Sequence, residues 1–177
     1  MNQSLKQKVE KFAKADQEKR RKWIKDPKKE NFKSVLAQDK KSIDFVKSVL
    51  KEYGWPKYKT VGKRASDKFW LLVQHADTNI NLQKKALKLL EKEVNCNQAS
   101  RKNLIYLIDR VLINEKKKQI YGTQFLIKNG KIHLHPVKNA RKLNNLRKEM
   151  GLEKIETTKI KIEKKYKSLM KKNKIAT

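Results

Sequence analysis

Apolar residues recur every three or four positions along most of this 177-residue chain, and charged residues fill the positions between them. That spacing places the apolar side chains on one face of a helix. The pattern predicts five helices before residue 113, over residues 5–24, 32–50, 61–75, 80–94 and 104–112. The fold class predicted is therefore mainly α: a single-domain helical array whose members bury their apolar faces against one another.

Local signals indicate where these helices begin and end. Asp26-Pro27 ends the first helix, because proline disfavours helical backbone at the residue before it. Gly54 supplies the stop for the second helix, in which a break near Gln38 is left open. The predicted N-terminal caps of the first, fourth and fifth helices are Ser4, Asp77 or Thr78, and Ser100.

The periodicity changes after residue 122. Residues 123–128 and 131–135 have the pattern of two strands, and Asn129-Gly130 between them fits the positive dihedrals of a type I′ turn. We expect one small β-hairpin at about residues 123–135.

A helical pattern returns over 137–150, with Gly151 at its stop, and a basic helix is expected over 156–174. The predicted domains are a helical domain with hairpin over residues 1–152 and a basic C-terminal extension over residues 153–177.

The charge of the chain is strongly unbalanced. Forty-seven lysines and arginines against 18 acidic residues give a net charge of +29. Charge of this size repels itself in a compact protein and indicates a polyanionic partner. Codon drift toward lysine is an alternative explanation, although the same drift enriches glutamate, and acidic residues are scarce here. Only seven arginines are present, and lysine pairs are spread along the whole chain, which favours phosphate contacts over base reading.

The sequence therefore predicts binding to the phosphate backbone of RNA or DNA with little sequence specificity. The protein would be a structural component of a large assembly such as a ribonucleoprotein, a virion or a nucleoid. A membrane surface is a weaker alternative, because the helices lack an aromatic-rich face. Trp23 is a candidate for stacking on a base. The basic residues predicted to contact nucleic acid are Arg21, Lys22, Lys116, Lys117, Lys118, Lys164, Lys165, Lys171 and Lys172.

The sequence also predicts the compartment. The first 22 residues are charged throughout and lack the apolar stretch of a signal peptide, and no apolar run approaches the roughly 20 residues of a membrane span. Cys96 is the single cysteine, which excludes an intrachain disulfide and a thiolate metal cluster. We expect a cytoplasmic protein, or one inside a virion, that is not secreted.

Five polar motifs, with their companion residues, occur in an order typical of one family. The chain resembles an uncharacterised bacterial domain family from about Asp16 to Leu152, and that family has no established activity. The resemblance implies a candidate polar site and no particular reaction. The motifs are Asp16-Gln17 with Arg20; Gly54-Trp55-Pro56 with Val61-Gly62; Gln74-His75-Ala76-Asp77 with Gln83; Asp109-Arg110-Val111; and Gln119-x-Tyr121-Gly122-Thr123-Gln124.

The polar residues of these motifs have two interpretations. In the first, the protein is a small enzyme of hydrolase or transferase type, in which His75 is a general base and Asp77 and Asp109 complete the catalytic set. In the second, Asp77 only caps a helix and Asp109 is a structural ion-pair partner of Arg110. The predicted ligand-binding residues of the first interpretation are Asp16, Gln17, Arg20, Trp55, Gln83, Arg110, Gln119, Tyr121 and Gln124.

No cofactor or metal is predicted. His133 and His135 lie two apart in a predicted strand, so both rings would project from one face and could chelate a metal. A third ligand is not evident in the sequence. Phosphate-binding glycine loops, nucleophile elbows and HExxH motifs are also lacking.

Overall fold

A computed structural model describes residues 1–175, and the side chains of residues 1–169. The protein is mainly helical with one small antiparallel hairpin, which confirms the predicted fold class. The elements are α1 Gln3–Lys25, α2 Lys29–Glu52, α3 Tyr58–Val61, α4 Lys63–Gln74, α5 Ile80–Asn95, α6 Arg101–Asn114, β1 Phe125–Lys128, β2 Lys131–Leu134, α7 Leu143–Glu149 and α8 Ile155–Ile175.

The chain forms two compact units. The first comprises Met1–Leu107 and the second begins at Ile108, so the boundary falls inside the sequence of α6. The separate folding of residues 1–152 stays a prediction.

The core of the first unit lies where α1, α2 and α4 pack together. Val9, Val46 and Phe69, one from each helix, are completely buried. Trp55 is also buried; its ring meets the ring of Phe69 edge-on at 5.3 Å, and its indole nitrogen donates to Ser66 Oγ at 3.2 Å. Trp55 therefore serves the core of this unit, and its predicted role in ligand binding has no contact here that supports it.

Two of the predicted helix caps are wrong. Asn2, and not Ser4, accepts a hydrogen bond from the first turn of α1. Asn79, and not Asp77 or Thr78, does the same for α5. Asparagine, aspartate, serine and threonine all cap well, so sequence alone does not choose among neighbours of these types.

The structure also tests the predicted cap of α6 and the predicted bounds of the second and third helices. The cap of α6 is confirmed, because Ser100 Oγ accepts from the backbone of Asn103 at 3.2 Å. Helix α2 is unbroken at Gln38. The helix predicted over 61–75 begins instead at Lys63. Val61 is the last residue of the short helix α3, and Gly62, whose φ of +82° favours glycine, separates α3 from α4.

The second unit contains the hairpin. Phe125 pairs with Leu134 and Lys128 with Lys131, and the turn residues Asn129 and Gly130 both have positive φ, which confirms the predicted turn.

The helix predicted over 137–150 begins only at Leu143. Val137 instead forms a parallel bridge with Gln119, and the next residue, Lys138, donates its N–H to the carbonyl of Gln119 at 2.8 Å. These backbone hydrogen bonds are incompatible with a helix over the same residues. The buried residues of α7 are Leu143 and Arg147, so an arginine shares the inner face of this helix with a leucine.

Within residues 1–175, no helix combines the length and the apolar character needed to cross a bilayer.

Candidate functional site

The first unit contains a cluster of hydrogen-bonded charged side chains, which we call the Asp16 cluster: Asp16, Gln17, Arg20, Asp39 and His75. Asp16 lies on the inner face of α1 with only 1% of its surface exposed. Its oxygens accept from Arg20 Nε at 3.0 Å and from Gln17 Nε2 at 2.8 Å. Both oxygens also lie 3.0 Å from Nδ1 of His75. A buried carboxylate is thus surrounded by donors from two helices.

His75 is placed by the end of α4. It is the residue that terminates this helix, with φ −90° and ψ 0°, and its ring turns toward α1. A carboxylate only accepts hydrogen bonds, so the ring hydrogen lies on Nδ1, and a neutral ring then has its lone pair on Nε2. Nε2 has no hydrogen-bond partner among the described residues, and it is not an enclosed unsatisfied atom. The side chain is 18% exposed, so a ligand can reach this nitrogen.

Arg20 connects two carboxylates. It bonds Asp16 through Nε and Asp39 through Nη2, the latter at 2.5 Å. Burial would raise the pKa of Asp16, but the hydrogen bond and charge of His75, the amide of Gln17 and the charge of Arg20 together lower it. Burial dominates at Asp39 and raises its pKa despite the pairing with Arg20. Asp16 therefore stays ionised and is the anion that orients the histidine.

Asp77, which was predicted to complete the catalytic set, is not hydrogen-bonded to His75. Its Oδ1 accepts from Gln83 Nε2 at 3.3 Å, and the same Gln83 amide lies 3.2 Å from the carbonyl of Val73 and 3.4 Å from that of Gln74. Gln83 is completely buried. This contact fixes the turn between α4 and α5 and so supports the backbone that carries His75.

Asp109 is in the second unit and is completely buried. Its oxygens accept from the backbone N–H groups of Ile120, Tyr121 and Thr123 at 2.8–3.2 Å, and from the Thr123 hydroxyl at 2.9 Å. The carboxylate thus anchors the loop that enters the hairpin. Asp109 therefore has a structural contact, but the predicted ion pair with Arg110 is wrong: its partners are the N–H groups of the loop and the Thr123 hydroxyl.

Gln119 anchors the same loop from the other side. Its amide nitrogen donates to the carbonyls of Gln124 and His135 at 3.0 and 2.8 Å, and its oxygen accepts from the Gln124 backbone at 2.9 Å. Because both the nitrogen and the oxygen of its amide are hydrogen-bonded to backbone, Gln119 connects the residue before β1 with the residue after β2.

Arg110, Tyr121, Gln124 and His135 lie around this loop. Arg110 Nη1 donates to Gln124 Oε1 at 3.2 Å. Burial and then the charge of Arg110 lower the pKa of His135. Burial and then the charge of Asp109 raise the pKa of the Tyr121 hydroxyl. The environment therefore favours neutral His135 and neutral Tyr121 beside a cation.

His133 and His135 do not extend to a metal site in the described part of the chain. Among residues 1–169, no three histidine, cysteine or acidic side chains are grouped so that they could hold a metal ion. His133 lies within β2 and is exposed, whereas His135 follows the strand and is half-buried.

Two important side chains were not singled out from the sequence. Asp39 lies in α2 between Gln38 and Lys40 and belongs to none of the polar motifs, so the sequence gave no reason to select it. Arg147 lies in the lysine-rich C-terminal third yet is only 2% exposed. It donates to the carbonyls of Tyr121, Gly122 and Glu153 and to the hydroxyl of Thr158. The sequence indicates the burial of Arg147 only through its position four residues after Leu143, on the same face of α7.

The basic residues predicted to contact nucleic acid lie on the surface. Lys117 is paired with Glu115 at 2.8 Å. The side chains of Lys171 and Lys172 lie outside the described residues. The remaining residues are exposed and form no ion pair with a described residue: Arg21, Lys22, Lys116, Lys118, Lys164 and Lys165. Trp23 is half-buried, and its ring contacts the ring of Phe32 with a centroid distance of 5.2 Å.

Comparison with known proteins places the chain in a family. A family model matches residues 3–171, which is nearly the whole chain. The protein therefore belongs to DUF6624, a family of unknown function. The match extends past Leu152 and includes most of α8. No curated protein and no solved structure is significantly similar to the chain.

Proposed function

We propose that this protein binds the phosphate backbone of RNA or DNA with little sequence specificity. The observation that carries the proposal is the excess of exposed basic side chains that lack an acidic partner among the described residues, as at Arg21, Lys22 and Lys118. A nucleic-acid backbone holds condensed counterions, and protein cations that neutralise its phosphates release these counterions, which favours binding. Membership of a large nucleic-acid assembly is part of this proposal.

Salt dependence tests this function. We expect log affinity for a duplex to fall linearly with log salt, at a slope of about −0.9 for each phosphate neutralised. Two duplexes of unrelated sequence should give the same line. The measurement is fluorescence anisotropy of labelled duplexes between 50 and 300 mM salt, a range that includes the ionic strength of about 0.15 M at which the Debye length is about 8 Å. Salt-insensitive binding, or a strong preference for one sequence, would contradict the proposal.

A second candidate function is hydrolysis or group transfer at His75. The observation that favours it is the buried Asp16 carboxylate on Nδ1 together with the open Nε2. A histidine held in this tautomer can remove a proton from water or from a substrate hydroxyl, and the nearby carboxylate stabilises the resulting imidazolium. Because no serine or cysteine among the described residues is hydrogen-bonded to His75, the attacking group in this proposal is water or the substrate itself.

Matched histidine variants test the second candidate. The probes are p-nitrophenyl phosphate and p-nitrophenyl acetate. His75→Gln is expected to reduce turnover of the accepted probe by about 100-fold or more, the usual contribution of a general base. His133→Gln, an exposed histidine of the hairpin, is the control and should retain full turnover. Equal rates for the two variants, or no turnover by the unmodified protein, would count against catalysis at His75.

A further inference from the structure

A hollow of about 600 Å³ lies along α1 and α4 within the first unit, and we call it the α1–α4 groove. Five cationic side chains line it: Lys11, Lys14, Arg21, Arg64 and Lys68. The only acidic residue in the lining is Glu10. A volume of this size lies within the range of ligand-binding clefts.

The charge of the α1–α4 groove is mostly uncompensated. Glu10 is already paired with Lys68 at 3.4 Å, and Lys14 lies 4.0 Å from Glu18. Lys11, Arg21 and Arg64 form no ion pair with any described residue. Three cations converging on one concave surface repel each other unless an anion lies between them, because a cleft concentrates the field of its charged walls.

The surface beneath these cations is apolar. Ala13 of α1 is buried, and Leu71 of α4 is half-buried, and both line the α1–α4 groove. A neighbouring hollow of about 590 Å³ shares Arg64, Lys68 and Leu71 with it and adds half-buried Trp70. Basic walls over apolar and aromatic surface are the combination that binds single-stranded nucleic acid, with phosphates on the cations and bases against the apolar surface.

We infer that the α1–α4 groove is the principal contact site for single-stranded nucleic acid on this protein. Phosphates of the strand pair with Lys11, Arg21 and Arg64, and bases lie toward Leu71 and Trp70. A single strand fits because its bases can turn individually into a cleft, whereas a duplex presents only its outer backbone. This inference rests on the proposed function and names the part of the surface that performs it.

Two variants of equal charge test the inference. The groove variant is Lys11→Gln with Arg64→Gln. The control is Lys85→Gln with Arg101→Gln, which removes one lysine and one arginine that are exposed and lie outside the lining of the α1–α4 groove. All four residues are exposed on helices, and glutamine has nearly the helix propensity of lysine and arginine. Circular dichroism should give the same helix content for both variants.

The measurement is anisotropy of a labelled 12-nucleotide oligothymidylate with the full chain at several salt concentrations. We expect the groove variant to bind about tenfold more weakly at 100 mM salt and its salt slope to shrink by about 1.4, since single strands contribute about 0.7 per phosphate contact. The control should lose less than threefold. Equal losses in the two variants would overturn the inference while leaving the proposed function intact. Failure of the unmodified protein to bind any oligonucleotide or duplex would overturn the proposed function itself.

Discussion

Asp16 and Asp109 are both almost fully buried carboxylates on helices, yet their surroundings differ in kind. Asp109 accepts hydrogen bonds from three backbone N–H groups and one hydroxyl of a single loop. Asp16 accepts only from side chains, and one of these is the titratable ring of His75. The first carboxylate fixes a backbone, whereas the second sets the tautomer of a group whose other nitrogen remains open.

This difference indicates that Asp109 has a structural role and that Asp16 belongs to a candidate chemical site. A backbone N–H cannot change its protonation state, so the contacts of Asp109 have a single state and serve stability. The contact of Asp16 with Nδ1 of His75 instead fixes which ring nitrogen carries the hydrogen and leaves the other nitrogen available for chemistry. Burial and charge are almost the same for the two carboxylates. The groups that donate hydrogen bonds to them differ, and these donors distinguish a structural carboxylate from a candidate functional one.

Replacing Asp109 should produce the largest loss of stability. Asp109→Ala leaves the backbone donors of Ile120, Tyr121 and Thr123 without their acceptor, which we expect to cost about 4 kcal/mol of unfolding free energy, since each buried unsatisfied group costs about 1–3 kcal/mol. Amide hydrogen exchange should quicken at these three residues. Asp44→Ala, at an exposed residue paired with Lys47, is the control and should change stability by less than about 0.5 kcal/mol. Unchanged exchange at the three amides would refute the anchoring role.

Replacing Asp16 should cost less. Asp16→Asn keeps the shape of the side chain but removes the charge shared by His75 and Arg20, and Arg20 still retains Asp39. We expect a loss of about 2 kcal/mol, because one buried charged acceptor is lost while its strongest donor stays paired. Urea unfolding followed by tryptophan fluorescence reports on this unit, which contains all three tryptophans. A loss as large as that of Asp109→Ala would remove the contrast between the two carboxylates.

The contribution of Asp16 to the free energy of unfolding should also depend on pH. Its pKa is lowered by folding, so its stabilisation is complete above the unfolded value of about 3.9 and is lost as pH falls through the folded value. The raised pKa of Asp39 acts in the opposite direction, so the informative quantity is the difference in unfolding free energy between the unmodified protein and Asp16→Asn. That difference should shrink below pH 4. A difference that is constant from pH 6 to pH 2.5 would show that folding does not lower the pKa of Asp16.

The smallest effect on stability is expected for the basic end of α8. Truncation after Glu163 retains Glu153 and Thr158, which accept hydrogen bonds from buried Arg147, and removes lysines beyond them. We expect stability within about 0.5 kcal/mol of the full chain and a weaker, less salt-dependent affinity for duplexes. Truncation after Leu152 removes both acceptors and serves as the comparison. Equal stability of the two truncations would show that Arg147 does not need these partners.

Much of the fold was predictable from the sequence because it depends on local periodicity. The apolar spacing located α1, α2, α5 and α6, and Asn129-Gly130 located the hairpin turn. The helix predicted from residue 137 failed because Pro136 and Lys138, on either side of Val137, are hydrogen-bonded to the backbone of Gln119, and a pairing between positions 18 residues apart leaves no periodic signal. Long-range backbone pairing of this kind overrides local propensity.

The candidate site was only partly predictable. His75, Asp16, Gln17 and Arg20 were all named from motifs, but the carboxylates predicted to act with His75 were Asp77 and Asp109. The partner is Asp16, which lies 59 residues earlier in the chain. Proximity in sequence favoured Asp77, whereas the packing of α1 against α4 determines which carboxylate reaches the ring.

The tautomer of His75 tests the central claim most directly. We propose to label histidine with ¹⁵N in the full chain and to record the ring nitrogens by NMR, with His75→Gln to assign the signal among the three histidines. When the ring is neutral, Nδ1 should be protonated and Nε2 unprotonated, and Asp16→Asn should abolish this preference. A neutral ring that has its proton on Nε2 would contradict the account, because Asp16 would then not be the group that orients His75.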